Sequence, residues 1–156
     1  MKRYLGRRLT VALLAVGALL VTATAAIGAG ETITLELHGG VDQTRSPCHQ
    51  TNHYAAYKLG TRIYMEGYVT PAPNLPDQTW RVKIKVKKCV LGVFKVIKQV
   101  HVLGNGVVVN GVKEGHYRWS WKPLYRGFYF ARAYYYGYTP AIESTDEHFH
   151  VQLLAP

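Results

Sequence analysis

The sequence predicts an all-β chain, an antiparallel β-sandwich of about seven to nine strands, and three observations carry that expectation. Apolar residues recur at every second position in several short runs, most plainly in residues 79–89, TWRVKIKVKKC. Gly, Pro and Asn-Gly turn signals stand between those runs. Past residue 30 no stretch longer than a turn or two carries the apolar repeat of an amphipathic helix.

The organising run is 79–89. A period of two sets Trp80, Val82, Ile84 and Val86 on one face and Arg81, Lys83, Lys85 and Lys87 on the other, which is the pattern of a half-buried strand. The first face is expected to build the core, and the second to meet water or an anionic partner. The strand ends on Cys89, one of two cysteines in the sequence.

In chain order, residues 1–29 come first and are set apart from the domain. MKRYLGRR is a basic opening, and residues 9–29 form an apolar run broken only by Thr and Gly. This is the layout of a secretory signal peptide, with Ala23/Ala25 and Thr24/Ala26 offering small-x-small cleavage sites. The run is also long enough to remain as an uncleaved signal anchor. Arg7-Arg8 hints at twin-arginine export, but Leu9-Thr10-Val11 fit that motif poorly. Residues 30–156 then form one domain, since 156 residues with 48% hydrophobic content suit a single core.

Ile33, Leu35 and Leu37 alternate with Thr32, Thr34, Glu36 and His38 in a first strand that Gly39-Gly40 ends. Residues 39–60 are polar, contain Pro47 and keep no period, so they are expected as a long loop insertion holding at most a short helical turn. Ile63, Met65, Gly67 and Val69 alternate with Arg62, Tyr64, Glu66 and Tyr68, and Pro71, Pro73 and Pro76 break the run. After the 79–89 strand, Gly92 turns the chain into 93–102, read as an edge or part-exposed strand because Lys98 falls in register with Phe94, Val96 and Val100. A turn is expected at 103–106, and Asn110-Gly111 marks a two-residue hairpin. Tyr117, Trp119 and Trp121 alternate with His116, Arg118 and Ser120 up to Pro123. Residues 127–136 are aromatic on both faces, and 147–154 close the chain as a last strand.

These strands resemble the secreted immunoglobulin-like, fibronectin type III-like modules of bacteria. The likeness is carried by IYMEGYVTP, with Ile63, Met65, Gly67, Val69 and Pro71, by WRVKIKVKK, by GHYRWSW, and by GFYFARAYY. It covers about residues 33–154 and implies an immunoglobulin-like β-sandwich in which Tyr129, Ala131 and Ala133 face the core and Tyr129 forms a tyrosine corner. It implies a scaffold and not an activity. The 39–60 insertion departs from the simple module, and so does the placement of Cys48 and Cys89.

Removing Lys2, Arg3, Arg7 and Arg8 with the signal takes the net charge from +10 to +6. A basic exported domain is drawn to anionic cell-wall polymers, lipid headgroups or nucleic acid, and the plainer reading of its lysines is a solvated outer face. Export also favours oxidation of Cys48 and Cys89 to a disulfide. Ser46, Ser120 and Ser144 lack a Gly-x-Ser-x-Gly context. Cys48 with His49 or His53 imitates a Cys/His pair only if the thiol stays reduced. His148 and His150 share a strand face, and Glu143, Asp146 and Glu147 cluster, but neither group has a metal-binding motif. No catalytic residue, cofactor or metal is therefore expected.

The sequence holds 12 Tyr, 3 Trp and 4 Phe. With Tyr129, Ala131, Ala133 and Tyr135 inward, Phe128, Phe130, Arg132, Tyr134 and Tyr136 point outward. Together with Arg81, Lys83, Lys85 and Lys87 they form the candidate binding surface, for a protein or an anionic cell-wall glycan. The expected protein is a non-enzymatic secreted or cell-surface module. A purely structural envelope domain is the alternative, and a small secreted metal-binding protein or enzyme is a more distant one. Nucleic acid is not an expected partner, nor is membrane beyond the signal segment. Exposure of Phe128, Phe130 and Tyr134 would favour binding, and their burial a structural role.

Overall fold

The computed structural model describes residues 30–45, 47–49 and 51–153. The expected signal segment 1–29, Ser46 and the end of the last expected strand at Leu154 lie outside them. The strands are β1 (Thr32–Ile33), β2 (Glu36–His38), β3 (Val41–Arg45), β4 (Asn52–Lys58), β5 (Ile63–Thr70), β6 (Arg81–Val90), β7 (Val93–Val109), β8 (Val112–Trp121), β9 (Gly127–Tyr135), β10 (Ile142–Glu143) and β11 (Glu147–Gln152), with a short 3-10 turn at Pro47–His49. The chain is all-β and forms a sandwich. One sheet runs β1/β2, β5, β8 and the end of β7, and the other runs the start of β7, then β6, β9, β11, β4 and β3.

The first expected strand is present, but as β1 and β2 in a single register against β5, from Thr32 opposite Thr70 to His38 opposite Tyr64. The break between them is chemical. The Tyr68 amide donates to the Thr34 hydroxyl, and the Thr34 carbonyl accepts from the Tyr117 hydroxyl. Gly67 makes room, since a Cβ there would stand 2.6 Å from that hydroxyl and 2.0 Å from the Thr34 oxygen.

Three sequence expectations require correction. Residues 39–60 are not a loop, because β3 and β4 pair as an antiparallel hairpin from Val41 opposite Ala56 to Arg45 opposite Asn52. β3 is the outermost strand of its sheet, and most of its positions face water, so it carries no apolar alternation to read. Residues 103–106 are not a turn either. β7 runs on through them, and its partner changes from β6 up to Leu103 to β8 from Gly104. Finally, the sandwich is not wholly antiparallel, because β11 lies parallel to β4. The two strands are far apart in sequence, so no hairpin dictates their relative direction.

The core lies between the sheets and includes Ile63, Met65, Val69 and Tyr117 from one and Val82, Ile84, Val86, Ala131, Ala133 and Phe149 from the other. The apolar face of β6 is buried as expected, Trp80 included. The Trp80 indole fills a notch made by two glycines. A Cβ on Gly104 would lie 2.0 Å from it, and one on Gly115 2.8 Å. The Gly104 amide donates to the Trp80 carbonyl at 3.1 Å, and the Gly104 carbonyl accepts from the Gln78 amide at 2.8 Å. The strand changes sheets where the Trp80 ring packs against the backbone of Gly104 and Gly115. Asn110 and Gly111, both at positive φ, make the expected hairpin, and Leu91-Gly92 makes a second with the same signs.

Candidate binding surface

Strand parity sets Lys83, Lys85 and Lys87 of β6 outward, directly opposite Tyr134, Arg132 and Phe130 of β9. Lys83 has its ammonium 4.4 Å from the Tyr136 ring centre and donates to the Tyr136 hydroxyl at 3.2 Å. Lys85 sits 4.7 Å from the Tyr134 ring, and Lys87 4.9 Å from that of Phe130. Each lysine sets its ammonium over an aromatic ring, and all three side chains are half-buried. Tyr134 and Tyr136 stack at 6.3 Å, and burial raises the Tyr134 hydroxyl above its ordinary 10.0, against a smaller pull from Arg132. Arg81 is exposed beside this ladder.

Arg132 does not belong to the free surface expected of it. Opposite Lys85 it would be repelled, and two carboxylates on the neighbouring segment neutralise it instead. Asp146 takes it through Nε at 2.6 Å and Nη2 at 2.9 Å, and Glu143 through Nη1 at 2.9 Å. This bidentate geometry fastens β9 to the bulge between β10 and β11, and the Asp146 hydrogen bond leads in holding the guanidinium above its ordinary 12.5. In the same bulge the buried Ser144 hydroxyl accepts the Ala133 amide and donates to the Thr145 carbonyl. With Cys48 oxidised to a disulfide with Cys89 and Ser120 accepting from Arg62, these hydroxyls and thiols are committed to structure.

The lower half of the expected outward row is covered. Phe130 is only 6% exposed, because Phe94 of β7 packs against it at 4.8 Å and His148 of β11 at 5.5 Å. Phe128 is half-buried, stacked on His150 at 4.1 Å and edge-on to the fully buried Tyr54 at 5.5 Å. A second, smaller aromatic cluster thus sits on the outer side of the sheet. The disulfide draws the connection between β3 and β4 toward β6 past the intervening β11 and β9. Phe94 and Tyr54 reach this cluster from distant strands, a meeting that alternation along one strand does not encode. The spacing of His148 and His150 was the available clue, since it puts both rings on one face.

Among the described residues no group of three or more His, Cys, Asp or Glu side chains is placed to hold a metal. His53 pairs with Asp42 at 3.1 Å. The cluster does respond to protons. Burial lowers His148 below its ordinary 6.5, with a smaller opposing effect of Asp146, and burial with Arg45 lowers His150. Both Nδ1 atoms are buried without a hydrogen-bond partner. The unfolded chain protonates these rings near their ordinary value while the folded chain resists. Their effect is therefore nil above about pH 7, and stability is lost as pH falls through 6.5 toward the lowered folded values. Glu147, raised by burial above 4.5, acts in the opposite sense in a lower window. Urea midpoints between about pH 7.5 and 5.5 should decline for the wild type and decline less for His148→Phe/His150→Phe. Equal slopes would refute this assignment.

Tyr129 forms the expected corner. Its hydroxyl donates to the Tyr125 carbonyl, and burial pushes that hydroxyl up to about 12. Nearby, Lys88 holds its ammonium 5.4 Å from the Tyr125 ring and 5.6 Å from that of Tyr129. Sequence parity had passed over Lys88, since it falls on the opposite side of β6 from Lys83, Lys85 and Lys87.

No protein-family model matches the sequence, and no curated protein matches it. Among solved structures, the chain is similar to the CARDB domain of a Pyrococcus furiosus protein crystallised in complex with di-metal ions. The two are 12% identical with a TM-score of 0.38, over 78% of this chain and 89% of that one.

Proposed function

We propose that this chain is a non-enzymatic, extracytoplasmic β-sandwich module of the immunoglobulin-like kind that holds an anionic glycan of the cell envelope. The observation that carries the reading is the ladder in which Lys83, Lys85 and Lys87 each lie over a ring of Tyr136, Tyr134 or Phe130. The part-exposed rings of Tyr134 and Tyr136 can pack on sugars and the three ammonium groups offer charge to carboxylates or phosphates, so the two together suit a charged polysaccharide, while the buried Phe130 serves to seat Lys87. The Cys48–Cys89 disulfide supports an oxidising compartment.

Retention of the protein on immobilised cell-wall polysaccharide, measured at low and high salt, tests this. Salt-sensitive retention that weakens about tenfold in Lys83→Gln/Lys85→Gln/Lys87→Gln is expected. A second reading, a purely structural envelope domain, is favoured by the burial of Phe130 and the pairing of Arg132. It gains if no retention occurs, whereas retention that neither salt nor the three substitutions alter credits the aromatic rings instead of the lysines.

A further inference from the structure

At the end of the sandwich that carries the Tyr129 corner, two open clefts share Lys88. One, of about 280 Å³, is lined by Trp121, Tyr125 and Tyr129 with Leu124, Ile97 and Lys98. The other, of about 780 Å³, is bounded by Arg126, Gly127, Phe128 and His150, beside the disulfide, and falls in the size range of small-ligand sites. Lys88, Lys98 and Arg126 bring three positive charges to this groove, and no carboxylate of the described residues lines either cleft. Nor do these three cations make an ion pair among the described residues.

The position of Lys88 is built into the backbone. Gly127 has φ +145, and a Cβ on it would stand 2.7 Å from Cε of Lys88, so glycine lets the lysine stem lie across the strand. Its charge then sits over two tyrosine rings between the clefts. In the smaller cleft Tyr125 (70%) and Leu124 (74%) stand far more exposed than their apolar character favours in water.

We infer that this groove is a subsite for uronate sugars, in which Tyr125 and Trp121 face the sugar rings and Lys88, with Lys98 and Arg126, takes the carboxylates. A ring-free polyanion would use the charges and leave the aromatic walls idle, and a neutral sugar would do the reverse. The subsite rests on the glycan-holding function proposed above, but it occupies residues separate from the Lys83–Lys85–Lys87 ladder.

Calorimetric titration with an oligomannuronate, a neutral oligoglucan of equal length and tripolyphosphate tests it. The oligomannuronate should bind at least about tenfold more tightly than either of the others. Lys88→Gln and Tyr125→Ala should each weaken it about fivefold to tenfold. Tyr125→Ala should leave tripolyphosphate unchanged. Because Tyr125 uses only its carbonyl to hold Tyr129, that variant keeps the corner, and an unshifted thermal melt verifies it. Wild-type affinity for oligomannuronate in both variants, or no binding by the wild type, overturns the subsite. If the ladder variant alone loses wall retention while the groove variants do not, the glycan-holding function stands and the subsite falls.

Discussion

Trp80→Ala should cost about 4 kcal/mol of stability, and Gly104→Ala about 3 kcal/mol, while the double variant should cost little more than Trp80→Ala alone. Trp80 is 3% exposed, so truncating it removes a large buried ring and leaves a cavity between the sheets. The Gly104 substitution fails for the complementary reason. Its new Cβ would lie 2.0 Å from the indole, and neither the ring, hemmed by Gly115 and by Tyr135 at 5.8 Å, nor the backbone bonded to Trp80 and Gln78 has room to yield. Without the indole the same methyl group enters free space. Urea midpoints of the four proteins give the coupling directly. Strict additivity would show that Gly104 is needed for its backbone freedom and not for the ring.

Loss of the Cys48–Cys89 bond should have an effect of similar size. The cysteines are 41 residues apart, and a loop of that length is worth about 4 kcal/mol in the chain-entropy account. The expectation has a local part as well. The bond ties the connection of the outermost hairpin to β6, beside the cluster of Tyr54, Phe94, Phe130 and His148. Cys48→Ala/Cys89→Ala should therefore lower the urea midpoint and raise binding of a hydrophobic dye before the main transition. A midpoint unmoved by reductant, with no added dye binding, would show that the hairpin holds its place without the bond.

Much of this fold could be read from the residues. The two-residue alternations of Ile63, Met65 and Val69, of Trp80, Val82, Ile84 and Val86, and of Tyr129, Ala131 and Ala133 all mark core positions. The expectation of export pointed to pairing of the two cysteines, and Asn110-Gly111 pointed to its hairpin. What escaped the reading has one physical source. Alternation separates two faces of a strand but does not say what covers the second. Phe130 lies on the outer face and is nonetheless buried, because Phe94 and His148 arrive from other strands. Arg132 shares that face and is nonetheless satisfied, because Asp146 lies across the ladder from it. The 39–60 hairpin was hidden because an outermost strand such as β3 needs no apolar side, and the 103–106 segment because its glycines answer to Trp80 and not to a turn.

The passage of β7 through both sheets also bears on how the protein carries load. β1 belongs to one layer and β11 to the other, so tension applied along the chain enters the two layers separately. β7 is the continuous strand that bridges them, with Gly104 at the handover. Strain passing between the two layers therefore has a hydrogen-bonded backbone route through β7, beside the Tyr57–His38 hydrogen bond and the core packed between the sheets.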